Sequence, residues 1–202
     1  MHLLVQVLQA LNPPKPSPAT VALLLALVIG AAVYDIRYRR IPNWLNLSGF
    51  LLGLALNTFQ YWNYWLDALN VGPGWLYSLT GFAVAFVIYI ALRAIHAVGA
   101  GDVKLMAAIG TIVGWRNWAV IFLFTALIGA AIGLIVVVAT GRLRRTMFNV
   151  GFIFSEMMHG RPAYLRNEEL DVTSNKGLRF PHGLWIALAG LCWAFLWAAQ
   201  QL

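Results

Sequence analysis

Only seven side chains in this 202-residue chain are acidic, and two of them, Asp35 and Asp102, lie where a long apolar run meets a basic turn. Asp35 closes the first run in Tyr34-Asp35-Ile36-Arg37, and Ile41-Pro42-Asn43 opens the next. Asp102 lies in Gly99-Ala100-Gly101-Asp102-Val103-Lys104-Leu105. Two carboxylates at matching depth can share one proton. The ionised member then takes a proton from water while the protonated member polarises a carbonyl, as in aspartic proteases. Such a pair titrates as one coupled unit. Each acid also has a plain structural reading: Asp35 as a partner for Arg37 or Arg39, Asp102 as a helix N-cap. The glycines favour the chemical reading. Gly99 and Gly101 allow left-handed backbone and close approach, which suits a turn holding a carboxylate against another helix or a substrate strand. Among the other candidates, His96 reads as a packing residue, and His159 and His182 are too isolated for a metal site. The single Cys192 can form neither an internal disulfide nor a CxxC pair, so no metal or cofactor is expected.

The elements that must carry these acids follow from composition. Hydrophobic residues make up 61% and charged residues 10%, against about 25% charged in soluble domains. So few charges cannot cover so much apolar surface, and the expected fold is an all-α polytopic membrane bundle of about six transmembrane helices. The apolar runs are 20–34, 44–62, 75–98, 103–115, 118–140 and 184–200, the first and fourth short for a full crossing. Residues 1–19 read as a short tail suited to the interface, with no signal peptide evident, and 20–202 as one domain. Within it the 141–181 segment reads as interfacial in its first half and as a solvated loop, with Glu168, Glu169 and Asp171, in its second.

The net charge of +7 reports topology, not nucleic-acid binding. Twelve of the 14 Lys and Arg follow the first and fifth runs or flank the turn between the third and fourth, and the loop from Asn63 to Gly74 has none. The positive-inside rule then places both termini outside and both Asp35 and Asp102 at the cytoplasmic face. Pro42 and Asn43 read as the start of the second helix. Gly129 and Gly133 read as a close-packing pair.

Taken together and in this order, Asp35 with Ile41-Pro42-Asn43, then Gly99-Ala100-Gly101-Asp102-Val103-Lys104-Leu105, then Phe180-Pro181-His182-Gly183 before the last run, resemble the prepilin peptidases. These are GxGD-class membrane aspartic proteases, and the resemblance covers about residues 20–202. It implies Asp35 and Asp102 as the catalytic pair, with Gly99 and Gly101 shaping the turn. Lys104 would lower a carboxylate pKa or orient substrate, against a plain reading as a snorkelling interfacial lysine. It also implies a prepilin partner cut just after a glycine at the cytoplasmic boundary of its leader, and a bacterial inner-membrane location among lipid. The larger members carry an N-terminal domain with paired CxxC motifs associated with methylation. One cysteine and this length are expected to match the short peptidase-only members that serve tight-adherence (Flp-type) pili. Three rival readings remain at this stage: a proton- or ion-coupled transporter, a non-catalytic subunit of a secretion assembly, and a signal-peptide-peptidase or presenilin-like protease. Ile41-Pro42-Asn43 and Lys104-Leu105 favour the prepilin branch over the last. Oligomeric state is not legible.

Overall fold

The computed structural model describes residues 16–60, 74–141, 144, 146–148, 151, 155 and 182–200. The expectations for most of the N-terminal tail, the 63–74 loop, most of the 141–181 segment, His159 and Pro181 fall outside them. Five long helices carry the described chain: α1 Pro18–Tyr38, α2 Asn43–Gln60, α3 Gly74–Ala94, α4 Ala100–Ala139 and α5 His182–Ala199. Four of them, α1, α3, α4 and α5, are long and apolar enough to cross a membrane. The chain is a multi-pass all-α membrane protein. The remaining helix, α2, is more polar because it carries Asn43, Asn46, Asn57 and Gln60.

The first helix is longer than the apolar run that foretold it. Ser17 caps it by accepting the Thr20 N–H at 3.2 Å, and Pro18 occupies the first turn, where its missing N–H is no loss. The helix runs 21 residues, about 31 Å at 1.5 Å per residue, a full crossing. Asp35 therefore lies inside the last turn instead of ending the helix. The end comes at Arg39, whose left-handed backbone (φ 52°) lets its N–H reach the Asp35 carbonyl at 2.8 Å.

The fourth and fifth runs also differ from expectation, since no loop separates them. They form one element of 40 residues, broken only at Gly114 (φ 71°, ψ 166°). A straight helix of that length would measure about 60 Å, twice the hydrocarbon core. The contacts show a reversal. Val113, just before the break, accepts a hydrogen bond from Tyr77 near the start of α3. Trp118 and Phe122, just after it, lie against the ring of Tyr89, with centroids at 6.3 and 6.0 Å. Tyr89 is twelve residues further along α3 than Tyr77, so the second half of α4 turns back along it.

The first half of α4 is the centre of the bundle, with every residue from Leu105 to Gly114 buried. Helix α3 approaches it where Gly81 faces Gly110, and α2 where Gly53 faces Ile112. Helix α5 lies against α1, with Gly190 opposite Val28. Ser17 bonds Gln60 across 2.8 Å and the Trp197 indole N–H bonds the Pro16 carbonyl at 3.0 Å. The start of α1 thus meets the ends of α2 and α5. At the opposite end gather the end of α1 and the starts of α2, α4 and α5. Outward-facing Val33, Leu51, Phe59, Val87 and Phe195 are more than half exposed, as lipid-facing side chains must be.

Candidate active site

Asp35 and Asp102 come to the same end of the bundle on different helices, both half-buried. Asp35 faces the start of α5, where the Gly183 N–H donates to its Oδ2 at 2.8 Å. The first N–H groups of a helix have no partner within it and carry partial positive charge, so they suit a carboxylate. Only glycine admits this approach. A Cβ at position 183 would stand 2.9 Å from Asp35 Oδ2 and 3.1 Å from Asp35 Cβ.

Asp102 lies three residues past the cap of α4. Its Oδ2 accepts the Gly99 N–H at 3.1 Å, which is one half of a capping box. This corrects the N-cap reading, because the cap is Gly99 itself. The glycines also differ from expectation. Gly99 is extended (φ −77°, ψ 156°), and neither it nor Gly101 is left-handed; the left-handed residue of this turn is His96 (φ 58°). Close approach does not require glycine at Gly101 either, where a Cβ would meet Ile41 at an ordinary contact distance of 3.6 Å.

The Asp102 carboxylate lies within electrostatic reach of both Asp35 and His182. Helices α1, α4 and α5 thus converge on one pair of acids. Among the described residues neither acid forms an ion pair, and Arg37 instead lies over the Tyr38 ring at 5.7 Å. Both Oδ2 atoms are held by backbone N–H groups, and the two Oδ1 atoms make no hydrogen bond to the described residues. That leaves one oxygen of each acid for water, a shared proton or a carbonyl. Lys104 is exposed and bonds Asn43 Oδ1 at 2.8 Å, not either aspartate. Asn43, expected only to start a helix, therefore also fixes the lysine.

Two neighbours were not singled out for this site from the sequence. Gly183 had a place in the motif but no role, and His182 was set aside as isolated. Among the described residues the buried His182 Nε2 atom has no hydrogen-bond partner. Among the described residues no three His, Cys, Asp or Glu side chains cluster as metal ligands would.

A family model described as the type IV leader peptidase family matches residues 22–134, a span that holds both aspartates. The chain is 36% identical over 132 residues to a prepilin leader peptidase/N-methyltransferase of Bacillus subtilis (strain 168), covering 63% of this chain and 47% of that protein. It is 31% identical over 136 residues to the protein of that name from Burkholderia pseudomallei (strain 1026b), covering 64% and 41%. A Legionella pneumophila relative of the same name is 31% identical over 141 residues, covering 65% and 47%. The match thus spans less than half the length of each of these relatives. No solved structure matches the chain.

Proposed function

The chain belongs to the type IV leader peptidase family, and from that premise we propose that it is a membrane aspartic endopeptidase that removes the leader from type IV (Flp-like) prepilins. Asp35 and Asp102 are its catalytic pair. The observation that carries this reading is that each acid is held through Oδ2 by a backbone N–H while its Oδ1 is left for chemistry. With one proton between them, the ionised carboxylate takes a proton from water as the water attacks the scissile carbonyl. The protonated one donates a hydrogen bond to the carbonyl oxygen. The tetrahedral intermediate collapses when the amine leaving group receives the proton first taken from water.

The distribution of Lys and Arg supports an inner-membrane protein with this end of the bundle in the cytoplasm, where the leader lies. The cut follows a glycine, and the apolar helix of the prepilin remains in the membrane beside the bundle. A proton-coupled carrier would use carboxylates near mid-membrane at a repeat interface; these lie together at one end. Co-expression with candidate Flp-type prepilins, followed by mass spectrometry of the product, tests the reading. A new N-terminus just after a glycine is expected, and intact leaders on every candidate would overturn it.

Gly183→Ala is expected to slow cutting about ten- to a hundredfold. Its methyl must push Asp35 or α5 away by a few tenths of an ångström, and small misplacements of reacting groups have effects of this order. The initial rate of leader loss checks this. A rate equal to wild type would mean that the Gly183–Asp35 bond positions nothing.

A further inference from the structure

A second feature of the fold is an apolar groove of about 630 Å³ between α2 and α3, floored by Ala107 and Ala108 of α4. Its walls include Leu47, Phe50, Phe82 and Phe86, and the Phe50 and Phe82 rings meet edge to face at 5.2 Å. One lining residue does not match the rest. Asn46 is 5% exposed, and among the described residues neither its Oδ1 nor its Nδ2 has a hydrogen-bond partner. Buried polar groups are normally paired. Asn57, on the same helix, bonds Ser78 and the carbonyls of Thr111 and Ile112. A carboxamide with both functions idle on a groove wall calls for an occupant that brings a donor and an acceptor. A lipid acyl chain brings neither.

Resting on the function proposed above, we infer that this groove holds the first turns of the prepilin's apolar helix, with Asn46 bonding the backbone where that helix begins. The first N–H groups of any helix lack internal partners, and the extended chain leading into it exposes carbonyls. A rotation of the buried Asn46 side chain brings its carboxamide to the groove, where Oδ1 accepts the one and Nδ2 donates to the other. Depth agrees. Asn46 lies one turn, about 4.5 Å, from Asn43, and Asn43 bonds Lys104, two residues past Asp102. The turn leading into Asp102 is Gly99, Ala100 and Gly101, so α4 itself adds no side chain longer than a methyl there, and the side chain facing Gly101 is that of Ile41. A strand crossing a helix width, ~10 Å, needs about three residues. The bond to be cut then reaches the acids while the helix stays in the groove.

Asn46→Leu keeps the side chain's size and removes an unpaired buried group, so the variant should accumulate in the membrane and resist heat as well as wild type. Its leader removal at limiting prepilin should fall about tenfold, the loss appearing in KM more than in kcat. A photo-crosslinking residue at position 50 or 86, in an Asp35→Asn background that retains uncut prepilin, should form an adduct with the prepilin near its leader boundary. The same residue at Leu188 or Phe195 on the outer face of α5 should form several-fold less. Normal KM in Asn46→Leu, lipid adducts alone from the groove, or equal capture from α5 would each overturn the groove assignment while leaving the peptidase reading intact. A wild-type protein that cuts no prepilin would overturn both.

Discussion

Asp35→Asn and Asp102→Asn are each expected to lower leader removal by about a thousandfold or more, with the protein still accumulating in the membrane. Asparagine matches aspartate in shape, and its amide oxygen can still accept the Gly183 or Gly99 N–H that holds the native carboxylate. It cannot take up the shared proton. Positioned acid–base groups contribute about 10²–10⁴-fold, and here both roles depend on one proton moving between two acids. Loss of a negative charge in the first turn of α4 changes stability by only about 0.3–1 kcal/mol, too little to explain a null enzyme. The double variant should be no slower than either single one, since groups that act as a unit do not contribute additively. Asp67→Asn, in the loop without basic residues, should cut at the wild-type rate. Initial rates on a co-reconstituted prepilin check all four variants, and wild-type cutting by either single variant would remove that residue from the catalytic pair.

The acids were legible because composition made them conspicuous: few charges, two of them where apolar runs meet basic turns. Their surroundings were less so. Gly183 lies 148 positions from Asp35, and no local pattern announces that the start of one helix will donate to the end of another. His182 read as isolated for the same reason. The turn before Asp102 was placed correctly and its geometry misassigned. Glycine permits left-handed backbone without requiring it, and here His96 takes that conformation while Gly99 is extended. Asn46 and Asn57 look alike in sequence, as single amides in an apolar helix. Only packing shows that the Asn57 amide group has acceptors while Asn46 is idle. In the sequence the fourth run ends at Trp115 and the fifth begins at Trp118, with Arg116 and Asn117 between them. In the fold Arg116 lies over the Trp115 ring at 5.3 Å and Asn117 bonds back to Val113 at 3.1 Å, so a single residue makes the turn.

That residue is Gly114, and Gly114→Ala is expected to be strongly destabilising. At φ 71° and ψ 166° the backbone lies in a region essentially reserved for glycine, where another residue costs about 1–3 kcal/mol. The added methyl would also be driven into the Tyr77 ring, which is buried and whose hydroxyl bonds the Val113 carbonyl. Displacing Tyr77 breaks that bond in a setting without water to replace it, and overpacking adds roughly 1–3 kcal/mol. The other escape, straightening α4, would carry Trp118 and Phe122 away from Tyr89 and produce a helix twice the membrane's thickness. A loss of roughly 2–5 kcal/mol follows, seen as lower membrane accumulation and a lower Tm in detergent. Pairing it with Tyr77→Ala should restore only part of the stability, because the crowding is relieved and the backbone strain is not. Gly129→Ala, with none of the described residues within 4 Å of the new methyl, should be harmless. Equal stability of the Gly114 and Gly129 variants would mean that the reversal of α4 does not depend on this backbone conformation.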